Sequence, residues 1–124
     1  MKSKKEILID IINLQVSIGE KSRNKNLLKN ISFNIKSNEI VGLIGESGSG
    51  KSLTSLCILR LLKEKKFSVS GEISFENKNI LNLNEKEMMR IRGSEISMIF
   101  QEPMSALNPT KKIGEQIFEV FRAR

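Results

Sequence analysis

Apolar residues alternate with polar ones along three stretches of this chain and recur at helical spacing along two others. From Glu6 to Ile18 the alternation runs through Ile7, Ile9 and Ile11, slips at Ile12–Asn13, and resumes with Leu14, Val16 and Ile18. This predicts a strand with one buried face, bulged or bent in the middle. The polar run Gly19 to Asn26 predicts a hairpin-type loop. Ile31, Phe33 and Ile35 then predict a second half-buried strand, and Ser37–Asn38 a turn in which Asn38 takes the left-handed conformation. The unbroken run Ile40-Val41-Gly42-Leu43-Ile44 predicts a short buried strand, and Leu53 to Leu62 an apolar-faced helix reaching about Lys66. Ile73 and Phe75 predict a further strand opening at Ser70-Gly71 and ending at Asn77-Lys78-Asn79. Glu85 to Arg92 predicts a short helix with Asn84 as its N-cap and Gly93 just past its end. Glu95 to Gln101, centred on Ile96, Met98, Ile99 and Phe100, predicts another buried strand, after which Pro103 and Pro109 break regularity. Ile113, Ile117, Val120 and Phe121 predict a closing amphipathic helix.

Between the buried run and the first helix lies Gly45-Glu46-Ser47-Gly48-Ser49-Gly50-Lys51-Ser52. It satisfies G-x-x-x-x-G-K-[ST] at every fixed position, in the strand–loop–helix context that a phosphate-binding loop requires. Gly45, Gly48 and Gly50 allow sharp turns with positive φ and a close approach of backbone to polyphosphate. Successive N–H groups and the helix N-terminus then face the anion. In such a loop Lys51 reaches the β- and γ-phosphates, and the Ser52 hydroxyl joins the coordination of Mg²⁺. The alternative is a glycine-rich turn with a surface lysine, which the flanking strand and helix disfavour. The chain is read as binding a nucleoside triphosphate.

Composition narrows this further. A length of 124 residues allows one small domain, and no apolar run approaches a membrane span. The basic start, Met1 to Glu6, is followed too soon by Asp10 and Asn13 for a signal peptide, so a cytoplasmic location is expected. The lone Cys57, set in the apolar helix, reads as a small buried hydrophobe. With no histidine, the chain lacks the usual zinc ligands and any Ser-His or Cys-His nucleophile. The net charge of +7 raises nucleic acid as a partner, but the lysines are dispersed among acids without interleaved aromatics. A solvated basic surface is the preferred reading, with no direct nucleic-acid contact expected.

Together these residues resemble the nucleotide-binding domain of ATP-binding cassette (ABC) transporters. The loop alone would not separate that family from other P-loop NTPases. Ile96-Ser97-Met98-Ile99-Phe100-Gln101-Glu102-Pro103-Met104-Ser105-Ala106-Leu107-Asn108-Pro109 resembles the Q-loop region of the oligopeptide and dipeptide importers' ATPases. Gly45 to Thr54, Ile58-Leu59-Arg60-Leu61-Leu62 and Ile113-Gly114-Glu115-Gln116-Ile117 are similar to the same group, and the likeness runs from about Ile7 to Phe121. Importers of nickel, glutathione and microcin-like peptides share much of this wording.

The resemblance implies an α/β fold: a P-loop NTPase (RecA-like) core with an antiparallel β subdomain, truncated before the signature and Walker B segments. It implies that residues 1–101 form the β subdomain and P-loop core through the Q-loop glutamine, and that 102–124 begin a helical subdomain. It assigns ATP and Mg²⁺ to Gly45 through Ser52 and Leu53, and gives Gln101 a place at the Mg²⁺ or the attacking water, catalytic with Lys51. It puts Ile18 where family members carry an aromatic residue stacked on adenine. Implied partners are membrane-spanning permease subunits and a second nucleotide-binding domain, with the protein peripheral on the cytoplasmic side of the membrane. The implied function is the ATPase subunit of a peptide importer, this chain alone binding MgATP without turnover. The alternatives are a nickel or microcin/glutathione-type importer ATPase, a non-catalytic truncated nucleotide-binding module, or a DNA-handling ABC-type ATPase.

Overall fold

The long strand β1 (Ile7–Ile18) is paired along both edges, in a computed structural model that describes residues 6–19, 25–62 and 66–122. On one side lies β2 (Lys25–Lys36), on the other β3 (Phe67–Phe75), and β3 pairs in turn with the two-residue β4 (Lys78–Asn79). Every pairing is antiparallel, and the sheet order is β2-β1-β3-β4. The slip anticipated in β1 is real. Asn13 has φ 50°, the register shifts around it on both sides, and its N–H donates to the Ser32 hydroxyl at 2.8 Å. Inserting one residue there lets Ile9, Ile11, Leu14 and Val16 all reach the buried face despite the break in alternation.

The chain divides into two compact units, residues 1–88 and 89–124. The core of the first is formed by those four residues with Leu28, Ile73, Phe75, Ile80, Cys57, Leu59 and Met88. Each buried aliphatic side chain contributes about 1.5–3 kcal/mol of transfer free energy. The helix α1 (Lys51–Ile58) buries Thr54 and Cys57, and the Thr54 hydroxyl is satisfied by donating to the Gly50 carbonyl at 3.0 Å.

α1 is shorter than the expected helix to Lys66, of which residues 63–65 lie outside the described residues. It stops in a Schellman arrangement: Arg60 N–H donates to Cys57 O and Leu61 N–H to Leu56 O, with Arg60 at φ 50°. Glycine usually fills that left-handed position. Here the guanidinium of Arg60 donates to Ile80 O at 3.3 Å and Leu83 O at 2.5 Å, bonds that offset the backbone cost.

Two expected strands do not form. Residues 40–44 have no strand pairing, Ile40 is fully exposed and Ile44 is 97% exposed. Residues 95–101 carry only an isolated bridge between Arg92 and Ile96, and Ile99 is 91% exposed. A strand buried on both faces needs neighbours to bond it and layers to cover it. Among the described residues neither segment has them.

Helix α2 (Glu85–Ile91) starts as expected. Asn84 Oδ1 accepts from the Glu87 N–H at 3.0 Å, and Glu87 Oε2 accepts from the Asn84 N–H at 2.9 Å, a reciprocal capping box. In the second unit, α3 (Ile113–Arg122) forms at the predicted place, but none of its residues is buried. Gln116 ties it to the preceding loop: its Nε2 donates to Asn108 O and Lys111 O, and its Oε1 accepts from the Asn108 N–H. The residues between Gly19 and Lys25 expected to form a hairpin loop lie mostly outside the described residues, and Lys25–Asn26 already belong to β2.

Candidate functional site

The loop from Gly45 to Gly50 is built on a tight turn in which the Ser49 N–H donates to Glu46 O at 3.2 Å. Gly48 at φ +79° and Gly50 at φ +96° take the left-handed conformation that side chains resist. Gly50 is also the N-cap of α1, and a Cβ there would lie 2.2 Å from Leu28 Cδ2. Gly45 was expected to share their positive φ and does not. What it provides is room, since a Cβ on it would fall 2.6 Å from Ser49 Oγ.

The Lys51 ammonium turns back over this loop. Its Nζ donates to Gly45 O and Glu46 O, each at 2.6 Å, and to Ser49 Oγ at 3.2 Å. Two main-chain carbonyls therefore hold a positive charge across the loop at the N-terminus of α1. That terminus carries no acidic residue in its first turn and no side-chain cap. The macrodipole and Lys51 thus add at one place, which favours an anion there. Ser52 is exposed and Leu53 half-buried. Among the described residues no group of three or more His, Cys, Asp or Glu could hold a metal ion. A cation here would rest on the Ser52 hydroxyl and on oxygens brought by the ligand itself.

Ile18 ends β1, half-buried and directly opposite Lys25 on one side and Phe67 on the other. Val16, two residues earlier, pairs with Leu28, the residue that lies against Gly50. Phe67, passed over in the sequence, is the aromatic residue across from Ile18, and only the β1–β3 register reveals it. It lines a cavity of about 220 Å³ with Cys57, Arg60, Leu62, Val69, Leu81 and Glu85. Burial pushes the Cys57 thiol up to about 11 from its ordinary 9.0, so it stays protonated and unreactive at neutral pH. Gln101 is exposed, in a bend before a 3₁₀ turn at Pro103–Ala106. It belongs to the second unit, whereas Ile18 and Gly45 through Leu53 belong to the first.

A sequence profile of the ABC transporter family matches residues 28–124, which takes in the loop, α1 and the segment around Gln101. The chain belongs to the ABC transporter family. Among its curated relatives is the probable D,D-dipeptide transport ATP-binding protein DdpD of Escherichia coli, 46% identical over 116 residues, 93% of this chain and 35% of the relative. The oligopeptide transport ATP-binding protein OppD of Bacillus subtilis is 42% identical, covering 92% of this chain and 32% of its own length. The dipeptide transport ATP-binding protein DppD of Lactococcus lactis is 40% identical, with 92% and 33% covered. The chain thus spans about a third of the length of these relatives. As an ABC transporter family chain it carries a nucleotide-binding P-loop, and no described helix is long and apolar enough to cross a membrane.

Proposed function

We propose that this chain is the nucleotide-gripping, N-terminal portion of the ATP-binding subunit of an ABC importer for peptides. The observation that carries the reading is the seating of the Lys51 ammonium on Gly45 O and Glu46 O at the N-terminus of α1. There Lys51 and the loop N–H groups of Gly45 through Ser52 bind and orient the β- and γ-phosphates of ATP. Ser52 supplies a hydroxyl to Mg²⁺, the ion that neutralises phosphate charge, and Leu53 begins the helix behind it. Ile18, with Phe67 across from it, offers an apolar surface to the base. Gln101 provides an amide that can accept and donate at once, suited to the Mg²⁺ or the attacking water. The core is read as RecA-like. Peptide as the solute is supported by the printed names of the relatives, all transport ATP-binding proteins for dipeptides or oligopeptides. Permease subunits and a second nucleotide-binding domain are the corresponding partners, placing the protein at the cytoplasmic face of the membrane.

Among the described residues no carboxylate is assigned a role at the γ-phosphate, and the chain is accordingly read as binding MgATP without turning it over. Calorimetric titration of the 124-residue chain with MgATP tests the assignment. The expected result is saturable binding that Lys51→Ala weakens at least tenfold, with no steady phosphate release. Equal binding by both proteins would overturn it.

A further inference from the structure

The three donors of the Lys51 ammonium are not equivalent. Two end on main-chain carbonyls at 2.6 Å, which cannot leave without unfolding the loop. The third ends on the Ser49 hydroxyl at 3.2 Å, longer and on a side chain that turns about one bond. Two further features tie Ser49 to this contact. Its own N–H donates to Glu46 O, the carbonyl that also accepts from Lys51, so hydroxyl and ammonium are referred to one atom. The space into which the hydroxyl reaches exists because residue 45 lacks a side chain: a Cβ on Gly45 would lie 2.6 Å from Ser49 Oγ.

We propose that Ser49 is a positioning residue that aims Lys51 at the terminal phosphates. This rests on the nucleotide-binding reading of the loop and goes beyond it by giving the Ser49 side chain, and not only its backbone, a role. With no phosphate bound, Ser49 accepts the third N–H and steadies an ammonium whose other two N–H groups rest on main-chain carbonyls. When a polyphosphate arrives, one of its oxygens takes that third N–H. The displaced hydroxyl, itself a donor, turns its O–H to the same anion. An ammonium held beforehand loses less freedom on binding, because a free lysine side chain samples many rotamers. Residue 49 therefore sets affinity for the polyphosphate portion of the ligand, whatever base it carries.

The test uses the 124-residue chain and its Ser49→Ala and Ser49→Thr variants, titrated with ATP and with inorganic triphosphate. A single exposed hydrogen bond is worth about 0.5–1 kcal/mol, so Ser49→Ala should raise Kd about 2–5-fold for both ligands alike. Ser49→Thr keeps the hydroxyl and should bind as the parent does. The direct readout is the Nζ proton resonance of Lys51 without nucleotide, slowed in exchange with water in the parent and in Ser49→Thr, and measurably faster in exchange in Ser49→Ala. Unchanged affinity in Ser49→Ala, a loss shared by Ser49→Thr, or a Lys51 resonance insensitive to the hydroxyl would each overturn the proposal. If the parent bound neither ligand, the nucleotide-binding reading itself would fail, and the resonance would still decide whether Ser49 holds Lys51.

Discussion

Leu28 Cδ2 lies 2.2 Å from the point where a Cβ on Gly50 would sit, so the edge strand of the sheet is in contact with the last glycine of the loop. Gly50 also has φ +96°. Gly50→Ala therefore meets backbone strain and overpacking together, each costing about 1–3 kcal/mol. Gly48 has φ +79° with nothing within 4 Å, so Gly48→Ala should cost only the backbone part, about 1–2 kcal/mol. Chemical denaturation of both variants should rank Gly50→Ala as clearly the less stable.

Arg60 offers a second contrast, because it pays backbone strain and recovers it through its side chain. Arg60→Ala keeps the left-handed φ and loses the bonds to Ile80 O and Leu83 O, a loss of about 1–3 kcal/mol. Arg60→Gly loses the same bonds but relieves the strain. We expect melting temperatures in the order parent, then Arg60→Gly, then Arg60→Ala; an alanine variant more stable than the glycine one would contradict the Schellman reading.

Cys57 gives a pH signature. Its thiol is raised from 9.0 to about 11 in the folded protein by burial, so folding favours the protonated form. The associated stability is present in full below pH 9 and is lost as pH rises from there through 11, amounting to about 2–3 kcal/mol. Denaturation midpoints of the parent should fall across that window more steeply than those of Cys57→Ala. Below pH 9 a thiol reagent should label Cys57 only at the rate of unfolding.

The apolar residues left uncovered carry a fourth expectation. Ile40 and Ile44 in the first unit, and Ile99, Ile117 and Phe121 in the second, are all more than half exposed. Surfaces of this kind drive association. The chain should sediment as concentration-dependent oligomers and bind a hydrophobic dye. Ile44→Lys and Phe121→Lys should each reduce both effects while leaving the thermal midpoint within about 3 °C, as surface changes do. A dye signal unaffected by either change would count against these residues as the source.

What could be read in advance was whatever a segment decides for itself. Alternation in β1, the slip at Asn13 and the N-cap at Asn84 are all local chemistry, and the fold bears out each of them. Residues 40–44 and 95–101 carry the composition of buried strands, yet burial belongs to their neighbours and not to them. The early end of α1 was hidden for another reason: Arg60 does what glycine normally does, using carbonyls more than twenty positions away in part. Phe67 was invisible beside Ile18 because strand register sets that pairing.

The acceptors that hold Lys51 most tightly are main-chain oxygens of Gly45 and Glu46. No substitution at position 46 can delete an oxygen every amino acid possesses. The Glu46 side chain is thus free to drift, and an exposed residue inside the loop can change its charge or size while the ammonium stays where it is. A loop built this way separates the part that grips from the part that varies. Surveys of tolerated replacements should find position 46 permissive and position 50 closed, though they lie four residues apart.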